Sequence, residues 1–551
     1  MYNAGTNKDK AIMAREKIES NIKKSKRYIL NIIAPVFVFG AITGVMTAVA
    51  VAVFKLLAKH AIGLCEAGYG LLRERPLLAI AVIPALLAIA LLLGWIYKKY
   101  PELCGGGIAE SIGLLRGLLS FRWLRTVVGA FLLSLTSFLI GVPLGNEGPS
   151  VIIGTALGRA SLYPAGKNNK AWDRYLMTGG ACAGFSAATG APISGIVFAI
   201  EEAHQRISPM IILVSSVSVM FCQITTELIS PWLNVSTSLF PGLSPVTLEL
   251  KSVWLPAVIG IAIGLFSVLF LRYSSLIRRF IKGYGERFPY ALRLFAVLLV
   301  TAFFGFISLD FISTGHELIH SLLDAKRAIY MLVIILVVRT TLTLSATTSG
   351  FTGGTFVPTL AIGATLSALL AEAMMALGLD GSLYSTVLIL GITACISGMM
   401  KMPFTAIIFA VEALDSYQNI FFIIAVSAIT FVITEIFDAK SLNDHTLELR
   451  VEEQNEGRTA TVIDTFVTVG ARSFAVGKQI RDIFWPTNLF VLSVTHSEKS
   501  KADVDGHGGS ALRAYDVLHV RYMTYDEEAT RRELIAIVGE QSYDEQRADV
   551  I

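Results

Sequence analysis

Charge is scarce in this chain. Only 16% of its 551 residues are Asp, Glu, Lys or Arg, against 54% hydrophobic, where a soluble globular domain carries about 25% charged residues. That excludes an ordinary soluble fold and leaves a polytopic membrane protein. The net charge, 46 minus 42 or +4, is too small to imply nucleic acid or another polyanion as partner. The five cysteines, Cys65, Cys104, Cys182, Cys222 and Cys395, lie in apolar surroundings with no CxxC pair, which supports neither a disulfide frame nor a zinc site. HExxH, Walker A and GxSxG patterns are missing, so no enzyme, metal or cofactor is expected. No cleavable small-residue site follows a brief apolar core near the start, so a signal-peptide layout is excluded too.

Long apolar runs are abundant instead. Stretches of about 20 residues, enough to span a bilayer, recur from Ile29 to Phe437, among them LLAIAVIPALLAIALLLGW and VWLPAVIGIAIGLFSVLFL. More than ten helical candidates are present and several are too short to cross alone. Short, glycine-interrupted membrane segments mark broken helices around a binding site. The opening KDKAIMAREKIESNIKKSKR is basic and helix-prone, and the positive-inside rule places it in the cytoplasm. Composition changes near Asp438. Beyond it TVIDTFVTVG, NLFVLSVTH and DVLHVRYMT read as strands, DGHGG as a turn and TRRELIAIVGE as a helix. The expected domains are a cytoplasmic amphipathic helix over 1–28, an all-α membrane unit over 29–450 and a soluble α+β domain over 451–551.

The membrane unit repeats itself. GNEGPSVIIGTALG lies on GTFVPTLAIGATLS, pairing Gly145 with Gly354 and Pro149 with Pro358, and APISGIVFAIEEA lies on MPFTAIIFAVEAL, pairing Glu201 with Glu412. Both matches are offset by roughly 210 residues and keep the same order, which predicts duplicated halves of a transporter or channel.

Each copy sets glycine and then proline at the start of an apolar helix. Proline costs nothing in a first turn, and glycine lets backbone approach a ligand. A half-helix beginning inside the bilayer aims free N–H groups and a positive dipole end at its surroundings, which suits an anion. Gly105, Gly106 and Gly107 open a third short helix, so three N-termini could converge on one anion. Glu147 places a carboxylate at such an N-terminus, where it competes with a permeating anion until it is protonated. An acid at membrane depth is a functional candidate by default.

These residues resemble the CLC family of chloride channels and proton-coupled chloride exchangers over about 30–450. GNEGP is similar to the family's G-(K/R)-E-G-P, GTFVP to its G-x-F-x-P, GGGIA more loosely to its G-S-G-I-P, and SGIVFAIEEA to the segment carrying its internal proton-transfer glutamate. The resemblance implies a helical fold of two inverted-topology repeats with broken helices, and a homodimer with one pathway per subunit. Glu147 matches the gating glutamate and Glu202 the internal proton relay. Glu201 and Glu412 match structural acids, and His204 reads as a helix-end residue. The anion contacts implied are Gly105, Gly106, Gly107, Ile108, Gly145, Asn146, Gly148, Gly354, Thr355, Phe356, Val357 and Asn443.

The chain departs from the pattern at Gly106, where the family has a serine hydroxyl, at Ala109 for its proline, at Asn443 for its tyrosine and at Asn146 for its Lys or Arg. Weaker chloride binding and looser coupling are the expected consequences. The tail resembles the TrkA-C (RCK-C) domain in FVTVGARSFAVGKQIRDIFWPTNLFVLSV and LRAYDVLHV. That implies a dimerising module with a small-molecule ligand such as a nucleotide, or one that only stabilises the dimer. The resemblance implies chloride–proton antiport across the plasma membrane with both termini cytoplasmic; a passive voltage- or pH-gated chloride channel and a fluoride/proton antiporter are the rival readings.

Overall fold

Glycine and proline punctuate the apolar runs, and the helix boundaries follow them. A computed structural model of the chain describes residues 33–163, 171–240, 245–285, 288–324, 326–455, 457–496, 509, 511–539 and 543–544. The expected N-terminal helix over 1–28, and the DGHGG turn apart from Gly509, lie outside them. The first repeat comprises α1 (Ala34–Glu74), α2 (Ala79–Lys99), α3 (Ile108–Arg116), α4 (Trp123–Ile140), α5 (Glu147–Ala160), α6 (Asp173–Thr189), α7 (Pro192–Phe198) and α8 (Pro209–Leu233). The second comprises α9 (Trp254–Gly285), α10 (Tyr290–Ile307), α11 (His316–Asp324), α12 (Ile329–Thr348), α13 (Phe356–Ala376), α14 (Tyr384–Met399), α15 (Pro403–Glu412) and α16 (Ile420–Ile436). Among the described residues, 10 helical segments are long and apolar enough to cross a membrane; α3, α5, α6, α7, α11 and α15 are shorter.

The two halves pack alike. α1 lies on α8 as α9 lies on α16, and α5 lies on α6 as α13 lies on α14. They meet head to head at an antiparallel bridge, in which Gly145 N–H donates to Gly354 O at 2.6 Å and Gly354 N–H to Gly145 O at 2.7 Å. The same inversion shows in a reciprocal cap. Proline opens both α7 and α15, and the Glu201 carboxylate accepts from the N–H groups of Phe404 and Thr405 at 2.8 and 2.7 Å. In return Glu412 accepts from Ile193 and Ser194, each at 2.8 Å. Each acid thus satisfies the orphan donors of the other repeat's half-helix, which would otherwise be left without partners in an apolar setting.

α17 (Leu442–Gln454) leaves the membrane unit and runs past residue 450, held there by the Arg450–Glu453 pair at 2.7 Å. The tail then forms β1 (Thr461–Thr468), β2 (Leu489–Thr495), β3 (Val517–Thr524), α18 (Glu527–Val538) and β4 (Tyr543–Asp544). The sheet order is β2-β3-β1-β4, with antiparallel pairing throughout. Val467, Leu518, Val520, Leu534 and Ile537 fill its core.

On β1, Asp464 faces Arg521 across the strands and accepts from its Nε at 2.8 Å and from His519. Partial burial raises its pKa, but the bonds and charges of Arg521 and His519 outweigh that and hold it below the ordinary 3.8. A carboxyl depressed in the folded state adds stability above its unfolded pKa and loses it as pH falls through the folded value. Asp464→Asn in the full chain is therefore expected to weaken hydrogen-exchange protection of β1 and β3 at neutral pH. The difference should persist down to pH 3.8 and fade only in stronger acid, as pH drops through the carboxyl's folded value; a difference independent of pH would contradict this.

Candidate functional site

Three helix N-termini converge where the repeats meet. α3 begins after Gly107, α5 after Asn146 and α13 after Thr355. A Cβ built on Gly148 would stand 2.5 Å from Gly354 Cα and 3.0 Å from Gly107 Cα, so the three backbones touch. A further strap ties α3 to the second repeat: Gly105 N–H donates to Gly350 O, and Gly353 N–H to Gly105 O, both at 3.0 Å. First-turn N–H groups have no intrahelical acceptor, and all three dipoles end here, which makes the junction electropositive. Gly148→Ala forces these ends apart. It is expected to cost about 1–3 kcal/mol of stability, read by thermal melting; an unchanged melting temperature would contradict the close approach at Gly148.

Glu147 sits in the first turn of α5, wholly buried. Neither carboxylate oxygen has a hydrogen-bond donor among the described residues. A buried carboxylate without a hydrogen bond is costly by several kcal/mol. A side chain at Gly145 would overlap Glu147 Oε2, which explains the glycine two residues earlier. The repeat counterpart of Glu147 is Phe356, first residue of α13. Its ring lies edge-on to Phe185 and to Phe409, both at 5.2 Å, and closes the junction with apolar surface.

Asn146 reads in the sequence as a lost positive charge at this junction. The structure brings basic side chains from elsewhere. His316 Nε2, at the start of α11, is 3.8 Å from Glu147 Oε1. The turn before it is fixed by the fully buried Arg339, which donates to the carbonyls of Asp310, Ile312 and Ser313 at 2.8–2.9 Å. Lys55 on α1, within the electrostatic reach of Glu147, donates to Ser236 O at 2.8 Å and to Ala187 O at 3.2 Å. A lysine inside the apolar run AVAVAVFKLL was the signal for it.

Gly106 is more than an absent hydroxyl. Its φ is +67°, and a Cβ there would come 2.7 Å from Thr352 Cγ2. The left-handed backbone disfavours serine by about 1–2 kcal/mol in this chain, whatever the hydroxyl would gain. The Gly107 N–H is also taken, donating to Glu110 Oε2 at 2.7 Å. Glu110 in turn accepts from Arg450 Nε of α17 at 3.2 Å, so a buried acid already rests on the α3 N-terminus. Sequence reasoning missed this pair, although a glutamate three residues after a helix cap is the capping-box spacing.

Glu202 lies in a π-helical turn, Ala199–Ala203, that continues α7; such turns gather at functional sites. It is 4% exposed. The resemblance places Asn443 on the central anion, but the structure gives it another partner: its Nδ2 donates to Glu202 Oε1 at 3.1 Å. Arg116, last residue of α3, donates to the Glu202 and Ala203 carbonyls at 2.8 and 3.0 Å and faces Asp444 at 3.8 Å. Glu201 points instead to the α15 cap, so the adjacent acids serve different ends. His204, past the turn, shares a hydrogen bond with Thr178 Oγ1 at 2.8 Å.

The tail rests on this face of the membrane unit. Thr487 Oγ1 donates to Arg116 O at 2.7 Å, Arg174 pairs with Glu533 at 2.6 Å, and the Phe484 ring lies 4.6 Å from His204.

Residues 89–435 match the family model described as Voltage gated chloride channel. The H(+)/Cl(-) exchange transporter ClcA of Salmonella arizonae is 30% identical over 335 residues, covering 59% of this chain and 68% of that protein; its Salmonella newport namesake is 29% identical over the same shares. A slow cyanobacterial Cl-/H+ antiporter superposes with a TM-score of 0.67 at 24% identity, over 77% of this chain and 99% of that one. A CLC-type fluoride/proton antiporter gives 0.60 at 21% identity, over 74% and 96%. With its inverted repeats joined at Gly145 and Gly354 and a family match across most of the membrane unit, the chain belongs to the CLC family of voltage-gated chloride channels and transporters.

Proposed function

We propose that this protein is a proton-coupled chloride antiporter, a homodimer with one pathway per subunit, in the plasma membrane with both termini cytoplasmic. The observation that carries it is Glu147: a wholly buried carboxylate without a donor, set at the meeting point of three helix N-termini. When ionised it competes with chloride for the first-turn N–H groups; when protonated it yields to the anion. Glu202 relays protons from the tail side without touching the anion, its carboxyl held by Asn443. The exchanger names of the ClcA relatives support the reading.

The anion is held by backbone at Ile108, Gly148, Thr355, Phe356 and Val357, since the Gly107 N–H is taken by Glu110 and neither Gly106 nor Asn443 brings a hydroxyl. Coupling is accordingly looser than in relatives with both hydroxyls. The tail is a TrkA-C-like regulator whose ligand is a small molecule such as a nucleotide. A passive channel would leave the buried Glu202 without a task, because it moves no protons.

The test is joint recording of anion efflux and proton uptake from proteoliposomes holding the purified full chain, with chloride, nitrate and fluoride in turn. Chloride efflux with proton uptake is expected. Chloride efflux without proton movement would make the protein a channel, and fluoride moving faster than chloride would make it a fluoride exporter.

A further inference from the structure

On an exposed face of the second repeat, α9, α10 and α12 leave a cavity of about 950 Å³. Its walls are apolar: Leu276, Ile277, Phe280, Leu292, Ala296 and Val300. Leu276, Phe280, Leu292 and Val300 are all exposed, an apolar patch that calls for cover. One cation interrupts it. Arg293 Nε is buried with no hydrogen-bond partner among the described residues, and the guanidinium lies 5.3 Å from the Tyr290 ring centroid. A buried N–H without an acceptor is destabilising, and a ligand acceptor at this site would relieve it. Phe288 and Ile281 close the end of the cavity beside the α9–α10 connection. That end lies on the α17 side of the molecule, since Lys282 pairs with Glu452 at 3.0 Å.

We propose that this cavity binds an anionic phospholipid, with an acyl chain along the α9–α10–α12 walls and the phosphate accepting from Arg293. A free phosphate would leave the walls bare, and a zwitterionic lipid would bring its own quaternary ammonium beside the guanidinium to share the phosphate. A charge-assisted hydrogen bond from arginine to phosphate satisfies both. The site lies close to the anion junction. Tyr290, under Arg293, donates to Ser349 O at 2.8 Å and touches Cys104 Sγ at 3.3 Å, and the next carbonyl, Gly350 O, accepts from Gly105.

Native mass spectrometry of the full chain, titrated with phosphatidylglycerol, phosphatidylcholine or inorganic phosphate, tests the proposal. Phosphatidylglycerol is expected to stay bound after the other two are stripped and to raise the melting temperature. Arg293→Gln should cut its retention roughly tenfold, the weight of one charge-assisted bond. Ala296→Trp, which obstructs the acyl-chain path and leaves the arginine in place, should sharply lower retention while melting as the native protein does in phosphatidylcholine. Equal retention of the two lipids, retention unaffected by Ala296→Trp, or inorganic phosphate matching the lipid's thermal shift would overturn the proposal.

Discussion

Glu147→Gln is expected to conduct chloride at every pH while moving no protons. Glutamine keeps the shape of the protonated acid but can neither ionise nor carry a proton, so the side chain no longer competes for the N–H groups of Gly148, Phe356 and Val357. Proton flux should fall by about two orders of magnitude or more, the usual scale for removing a proton-transferring group. Chloride flux should persist and lose its dependence on pH. The orphaned oxygens of the native side chain imply that the substitution leaves no hydrogen bond broken, so the folded protein should melt no lower than the native one. The check is paired chloride and pH recording from vesicles at several pH values; proton uptake surviving in this variant would move the gate elsewhere.

Glu202→Gln is expected to abolish proton transport to the same extent while keeping chloride flux. Among the described residues its carboxyl bonds only Asn443, and its carbonyl is held by Arg116 whichever side chain is present. Glutamine can accept from Asn443 as before, so the π turn should stand. Loss of both fluxes in a protein that still folds would assign Glu202 to structure, as the caps assign Glu201 and Glu412. Those two supply the contrast: Glu201→Gln weakens charge-assisted bonds to Phe404 and Thr405, and its first effect falls on stability.

Local signals made the repeats readable. Glycine followed by proline marks a helix start wherever it occurs, so GNEGP and GTFVP disclosed α5 and α13, and their spacing disclosed the duplication. What stayed hidden depends on contacts between distant segments. The exchange of caps between Glu201 and Glu412 crosses more than 200 residues and has no local mark. His316 and Lys55 reach Glu147 from other helices, so the neutral Asn146 looked like a lost charge. Asn443 aligned with an anion ligand, but the fold turns its amide toward Glu202. Gly106 read as a missing hydroxyl because a sequence shows the absent atom and not the φ of +67° that excludes it. Arg450 and Glu110 stand 340 positions apart, and only the return of α17 to α3 pairs them.

The most direct test of proton coupling through Glu147 and Glu202 is uphill proton movement driven by chloride alone. Vesicles loaded with high chloride are diluted into low chloride at equal pH, with the membrane potential clamped at zero by valinomycin and potassium. The account predicts that chloride efflux draws protons inward, acidifying the lumen against the gradient that builds. Chloride efflux at full rate with no change in lumenal pH would contradict it.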